Sequence, residues 1–318
     1  MKPASLVIPS LVAGVIAMAA TQASDYVLYV AMAAGWLAIL AISFDVLVGY
    51  TGYISLAHGA FYGVGAYTFA NLTTRGDWSF YAAVPASGVV ACAIGVAVAG
   101  IAFRTRGLYF AITTLGIGLI GFQVFTIADG LTGGIQGFAG IPSPPVIFGL
   151  DPSLEHFLLT LLMVWIVYTA ALIFTTSKIG MQCLAIREDL TLAKAMGIRV
   201  GLVRLLAFAF SAFFAGIGGA IFASASNFVG PESFGVLTTG FQLVVAAVVG
   251  GMGTLWGPAL GAVVMTSLPE VLRGAATYSL LVYGCLLLFV MIFAPKGLAG
   301  ALSALFQRIR SGRKGSSR

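Results

Sequence analysis

The sequence predicts a polytopic, all-α membrane protein of about ten transmembrane helices, on three observations. Hydrophobic residues make up 60% of the 318 residues against 8% charged, with a mean hydropathy of +1.05; a soluble domain is about a quarter charged. The apolar runs are long and lack the alternation of barrel strands, so backbone polar groups in hydrocarbon must be satisfied within helices. Lys and Arg fall unevenly among the connections, as they do in a chain whose orientation is set by charge.

At about 20 apolar residues per crossing, spans are expected near 5–22, 26–48, 54–72, 80–103, 108–128, 156–176, 203–225, 235–250, 256–269 and 276–294. The first 24 residues also resemble a secretory signal, with Lys2 before an apolar run and small residues at 20–24; the expectation is a retained first span. A Gly-rich break at 250–257 separates two short spans, and the rival reading of 250–269 is a broken or re-entrant helix buried in protein. With ten crossings, Lys2, Arg104, Arg106, Lys178, Arg187, Lys194, Arg199, Arg204, Lys296, Arg308, Arg310, Arg313, Lys314 and Arg318 share one side, and only Arg75 and Arg273 lie opposite. Both termini are therefore expected in the cytoplasm.

Residues 1–300 read as a single transmembrane domain and 301–318 as a basic cytoplasmic tail at the lipid surface. Two connections stand out: an outer loop at 129–155, rich in Pro and Gly without Lys or Arg, and a cytoplasmic stretch at 177–203 with a helix-compatible pattern. In the latter, Leu190, Leu192, Ala193 and Met196 share about one face, charges lie elsewhere, and Gly197 ends the helix. Such a helix suits docking in a groove of a soluble partner, or is an ordinary amphipathic connection.

Between Gly49 and Gly65 the glycines permit close helix approach, and Tyr53, Ser55 and His58 add polar groups near the cytoplasmic end that can border an aqueous path. Asp45 and His58 are the ionisable residues nearest the membrane interior, and intramembrane charge is a functional candidate by default; the structural alternative has Asp45 reaching water or pairing with His58. Thr113, Thr114 and Gln123 lie on one helix, where they can bond a passing solute or a neighbouring helix. Gly133 and Gly134 offer either outward N–H groups for a carboxylate or a tight turn.

Ordered blocks along roughly 41–298 resemble the branched-chain amino-acid ABC permease family of the LivM type. They are GYTGYISLAHGAFYGVGAY at 49–67, RGLYFAITTLGIG at 106–118, LTGGIQGFAGIP at 131–142, VVGGMGTLWGPALGA at 248–262 and FAPKGL at 293–298. Tyr53, Ala57 and Leu119 depart from the commoner family pattern. The stretch AIREDLTLAKAMGIRVG resembles the family's coupling loop. The resemblance implies that Arg187, Glu188, Asp189, Ala193 and Gly197 contact an ATPase and that Tyr53, Ser55, His58, Thr113, Thr114 and Gln123 border the path. It also implies a bacterial inner-membrane importer with two ABC ATPase subunits, a second permease of the LivH type and a periplasmic substrate-binding protein, carrying branched-chain or other small hydrophobic amino acids. Urea or a short amide is the alternative cargo within the family.

No G-x-x-x-x-G-K-[ST] phosphate loop is present, so the expectation is a non-enzymatic subunit with no cofactor of its own, ATP and Mg being bound by partner subunits. Cys92, Cys183 and Cys285 lie far apart and suggest neither a metal site nor a disulfide framework. The +6 charge reads as topology rather than nucleic-acid binding. An ion-coupled secondary transporter would usually place carboxylates or broken-helix carbonyls at mid-membrane, and only the break at 250–257 supports it. A membrane enzyme or scaffold lacks a reactive cluster or large loop.

Overall fold

The computed structural model describes residues 4–146, 149–271, Gly284, Leu288 and 297–301. The expected crossing at 276–294 and the tail at 302–318 lie outside the described residues, Gly284 and Leu288 apart. Helices α1 (Ala4–Ala20), α2 (Asp25–Thr51), α3 (His58–Thr74), α4 (Phe80–Ala102) and α5 (Leu108–Ile127) come first. A short α6 (Asp129–Thr132) follows, then α7 (Pro152–Thr176), α8 (Lys178–Glu188), α9 (Leu190–Ala195), α10 (Val200–Ser226), α11 (Phe241–Gly250) and α12 (Trp256–Val271). The two-residue strands β1 (Phe138–Ala139) and β2 (Phe228–Val229) pair antiparallel.

Among the described residues, six stretches are long and apolar enough to cross a membrane: α2, α4, α5, α7, α10 and the composite Pro231–Gly250. Helices α1 and α3, at 17 residues each, and α12, at 16, fall just short of that length. The most apolar windows of α2 and α10 are 61% and 67% buried, against 22% for α5 and α7. The first pair therefore forms the centre of the bundle, and the second pair presents most of its surface outward.

Small residues set the central packing, because without water to expel, helices in lipid associate through close backbone approach. Gly65 on α3 lies against the Gly216 backbone of α10, and Gly216 in turn faces Ser87, Gly88 and Ala91 of α4. The Ser/Ala/Gly run at 211–220 is thus the joint between three helices. Packing also explains Gly59, which abuts the Phe234 carbonyl, and Gly63, which abuts the rings of Phe125 and Phe234.

Contacts fix the direction of each helix. Ser43 meets Ser211 and Trp36 meets Phe222, so α2 and α10 are antiparallel. Gly95 meets Ala212 and Gly88 meets Ile217, so α4 is antiparallel to α10 as well. Arg104, Arg106, Lys178, Arg187, Lys194, Arg199 and Arg204 consequently gather at one end, called here the basic end. Asp25, Asp77, Asp129, Asp151, Glu155, Glu232 and Glu270 lie at the other, together with Arg75.

Three segments depart from the expected spans. Helix α2 stops at Gly52, whose φ of 75° closes a left-handed cap with its N–H on Val48 O. Residues 52–57 then run back into the bundle before α3 begins at His58, level with Ser43 and Ser211, about 13 Å inside the end of α2. That depth is why α3 is short, and the expected start at 54 moves to 58. The expected helix 235–250 is a chain of a 3₁₀ turn (Pro231–Phe234), a π turn (Val236–Gly240) and α11. Finally, the outer loop is partly ordered into α6, a 3₁₀ turn, β1 and the first turn of α7, where Asp151 caps the helix by accepting from Ser153 N.

Helix α12 starts beside Asp45 and reaches Tyr26, whose hydroxyl donates to Glu270. It therefore runs along α2 from one end toward the other instead of turning back. Gly297 lies against Gly250 and Gly251 at the basic end.

Candidate functional site

The basic end is built around the 251–255 turn, which joins α11 to α12. Its geometry is unusual for side-chain-bearing residues: Gly251, Gly253 and Leu255 all have positive φ. Asp45 holds this turn. Its Oδ1 accepts from Gly253 N at 2.7 Å and its Oδ2 from Leu255 N at 3.2 Å. The side chain is fully buried, so it neither reaches water nor pairs with His58, and both structural expectations for Asp45 are corrected. A carboxylate suits the place because it accepts from two amides at once.

Arg187 closes the arrangement from below. Its guanidinium donates to Gly49 O and lies 3.2 Å from where a Cβ on Gly253 would sit. Arg187 thus ties α8 to the end of α2 and to the turn through its guanidinium, while the residue as a whole stays exposed at the basic end. The continuous helix expected from Arg187 to Met196 is broken at Asp189, whose carboxylate accepts from Thr191 N at 2.7 Å and Leu192 N at 3.0 Å as the cap of α9. Within α9 the expected apolar face divides, because consecutive helix residues point about 100° apart and Leu192 cannot share the inward side of Ala193. Ala193 turns inward and is 3% exposed, while Leu192 and Met196 are 61% and 76% exposed. Glu188 and Gly197 are exposed, and together with Met181 and Leu184 of α8 the outward side chains form an apolar surface at the basic end. Cys183, on the inner face of α8, is buried, and burial pushes its thiol up to about 11.

The path candidates separate into two groups. Buried inside, Ser211 donates to Ser43 O at 2.6 Å, so His58 Nε2 must be the donor in its 2.5 Å contact with Ser211 Oγ. Thr114 accepts from Leu56 N at 3.1 Å and pins the 52–57 segment to α5. Ser55 is buried in that segment, and its hydroxyl has no partner. Tyr53 lies edge-on to Phe103 and Phe110, with centroids at 6.2 and 5.1 Å, and Phe103 stacks on Phe110 at 5.4 Å. These rings cover the basic end beneath the 52–57 segment.

Thr113 and Gln123 belong to the outward face of α5, so the three α5 candidates do not share a side. Thr113 bonds Tyr109 O and Thr105 Oγ1. Gln123 lines a shallow surface depression with Ile120, Val124 and Ile127. A second hollow of about 210 Å³ lies between α2, α3 and α10 and is lined by Trp36, Tyr62, Phe222, Thr239 and Gln242 among others; nothing in the sequence pattern marked it.

At the opposite end, of the two readings for Gly133 and Gly134 the hydrogen bonds favour the tight turn. Gly133 N donates to Asp129 O at 3.0 Å and Gly134 N to Thr132 Oγ1 at 3.2 Å, which makes the pair a tight turn. Among the described residues, no three His, Cys, Asp or Glu side chains lie close enough to hold a metal ion.

Arg204 was counted in the sequence only as one of the basic-side charges. Its spacing from Phe208 and Ser211, four and seven residues on, was the available signal, since such residues share a helix face. All three are buried.

Residues 26–294 match the family model described as branched-chain amino acid transport system, permease component. The high-affinity branched-chain amino acid transport system permease protein LivM of Salmonella typhimurium is 33% identical over 285 residues, covering 82% of this chain and 67% of that protein. LivM of Escherichia coli is likewise 33% identical, over 284 residues, with the same coverage of both chains. The related permease LivH of Salmonella typhimurium is 27% identical across 83% of this chain and 91% of its own length. No solved structure matches the chain.

Proposed function

The chain belongs to the family of branched-chain amino acid transport system permease components, and from that premise we propose that it is a membrane-spanning subunit of an ATP-driven importer for branched-chain or other small hydrophobic amino acids. The single observation that carries this reading is the family match across 26–294. Energy enters through two ABC ATPase subunits, which hold ATP and Mg. A periplasmic binding protein delivers the solute, and a LivH-type permease completes the pore in the bacterial inner membrane.

The chain crosses ten times with both termini in the cytoplasm. Gly297 beside the 250–251 backbone at the basic end, with Glu270 of α12 at the opposite end, supports this. The basic end is cytoplasmic by the positive-inside rule. There the exposed Leu192 and Met196 suit an ATPase groove, and Arg187 links α8 to the 251–255 turn. ATPase movement at α8–α9 is thereby passed to α2, α11 and α12 as one body. The outward face of α5, with Thr113 and Gln123 among apolar residues, borders the path shared with the second permease.

Purification of the chain with its neighbouring gene products tests the reading. Two P-loop ATPases and a second permease should co-purify, and leucine with the binding protein should stimulate ATP hydrolysis and uptake into proteoliposomes. Leucine uptake by this chain alone would overturn it.

A further inference from the structure

Arg204, near the start of α10, is 5% exposed, and its guanidinium carbon stacks 4.1 Å from the centroid of the Tyr53 ring. Its Nε and Nη2 are buried and have no hydrogen-bond partner. Those two nitrogens form one edge of the guanidinium, with N–H bonds that point the same way and match the two oxygens of a carboxylate. A buried cation left unpaired is costly, so an empty edge of this kind calls for a partner.

Among the described residues there is none. All ten Asp and Glu residues lie among the described residues. Of the three at the basic end, Asp45 is engaged by the 251–255 turn, Asp189 caps α9 and Glu188 is exposed. Arg106 lies near enough for its charge to act on Arg204, which makes the locality more attractive to an anion. The surroundings are otherwise apolar: Tyr53, Phe103 and Phe110 pack together and against Phe208, one turn along α10 from Arg204. A small anion carrying an aliphatic body fits this chemistry better than a hydrated inorganic ion.

Resting on the functional reading above, we propose that the Nε/Nη2 edge of Arg204 receives the carboxylate of the amino-acid solute at the cytoplasmic mouth. Both nitrogens of the edge are buried, so a carboxylate can pair with them only after the side chains around Arg204, the stacked Tyr53 ring among them, move apart. Solute therefore binds the open form of the mouth selectively and shifts the population toward it, which a ligand can do only through such a difference in affinity. Arg204 is in this sense both receptor and latch.

The test uses the complete transporter in lipid nanodiscs, without the binding protein, and two probes, L-leucine and L-leucinamide, which lacks the carboxylate. Arg204→Gln should weaken leucine binding at least about tenfold, the loss expected for hydrogen bonds to a charged group, and leave leucinamide binding within about twofold. Arg204→Lys keeps the charge but not the fork; it should weaken leucine selectively too, and it serves if the Gln variant does not fold. Equal weakening of both probes, unchanged leucine affinity, or no leucine binding by wild type overturns the proposal. Loss of the ATPase subunits from Arg204→Gln places the anion on a partner protein and overturns it as well. Wild-type uptake in the reconstituted system with binding protein is scored separately. Absence of leucine uptake there refutes the functional reading, whereas uptake with insensitivity to Arg204→Gln refutes the receptor alone.

Discussion

Replacing Asp45 removes the side chain that accepts from both Gly253 N and Leu255 N. A hydrogen bond to a charged group contributes about 1.5–3 kcal/mol, and two would sum to about 3–6 kcal/mol. Because both share one carboxylate they are not independent, so Asp45→Ala should cost about 3–4 kcal/mol. Asp45→Asn keeps one acceptor oxygen but turns an amide donor toward the other N–H, and should cost about half as much. Cys183 provides the readout, since α8, which carries it, is tied by Arg187 to Gly49 beside the same turn. Its raised pKa keeps the folded thiol protonated at pH 8, and the thiolate is the reactive form, so alkylation reports opening. With Cys92 and Cys285 replaced by Ala, Asp45→Ala should accelerate labelling by roughly 100-fold or more, since 1.4 kcal/mol is about tenfold. A rate within about threefold of the background protein would refute the idea that Asp45 holds the turn. Abolished transport by Asp45→Asn with normal assembly and unchanged labelling would instead assign Asp45 a direct part in transport.

Further outcomes follow from individual contacts. A Cβ on Gly65 meets the Gly216 backbone, which no rotamer change relieves; Gly65→Ala should lower the yield of monodisperse protein in gel filtration, and a normal profile would contradict the packing at the α3–α10 joint. Leu192→Asp with Met196→Asp, both on the exposed surface, should reduce ATPase co-purification at least tenfold without shifting the melting temperature; retained ATPases would move the docking surface elsewhere. Thr114→Val deletes the acceptor for the half-buried Leu56 N and should cost about 1–3 kcal/mol, measured by thermal unfolding in detergent. An equally stable variant would mean that 52–57 is held by its rings alone.

How much of this was legible in the sequence varied with how local the cause was. Glycine spacing at 59–65 correctly announced close packing, although not that Gly216 would be the opposing surface. Asp45 stood out as an intramembrane carboxylate, yet its partners lie 208 and 210 residues away, and no short-range pattern points to them. The apolar face drawn through Leu190 to Met196 holds only in part: on the short α9, Leu190 and Ala193 turn toward the bundle while Leu192 and Met196 turn outward, and which side is covered depends on the helices packed against it. Arg204 was legible only as a charge of the basic side, which says nothing of its depth, while its register with Phe208 and Ser211 argued for the interior.

By itself the sequence determined the class of the protein, the order of its apolar helices and the gathering of basic residues at one end. These follow from composition, run length and charge placement, quantities that each segment carries independently of its neighbours. The tertiary structure alone decided that α3 begins deep in the bundle, that Asp45 holds the 251–255 turn and that Arg204 keeps a dry, unpaired edge. Those outcomes depend on which distant backbone amides and rings come within hydrogen-bond or van der Waals reach, and only packing of the whole bundle sets that.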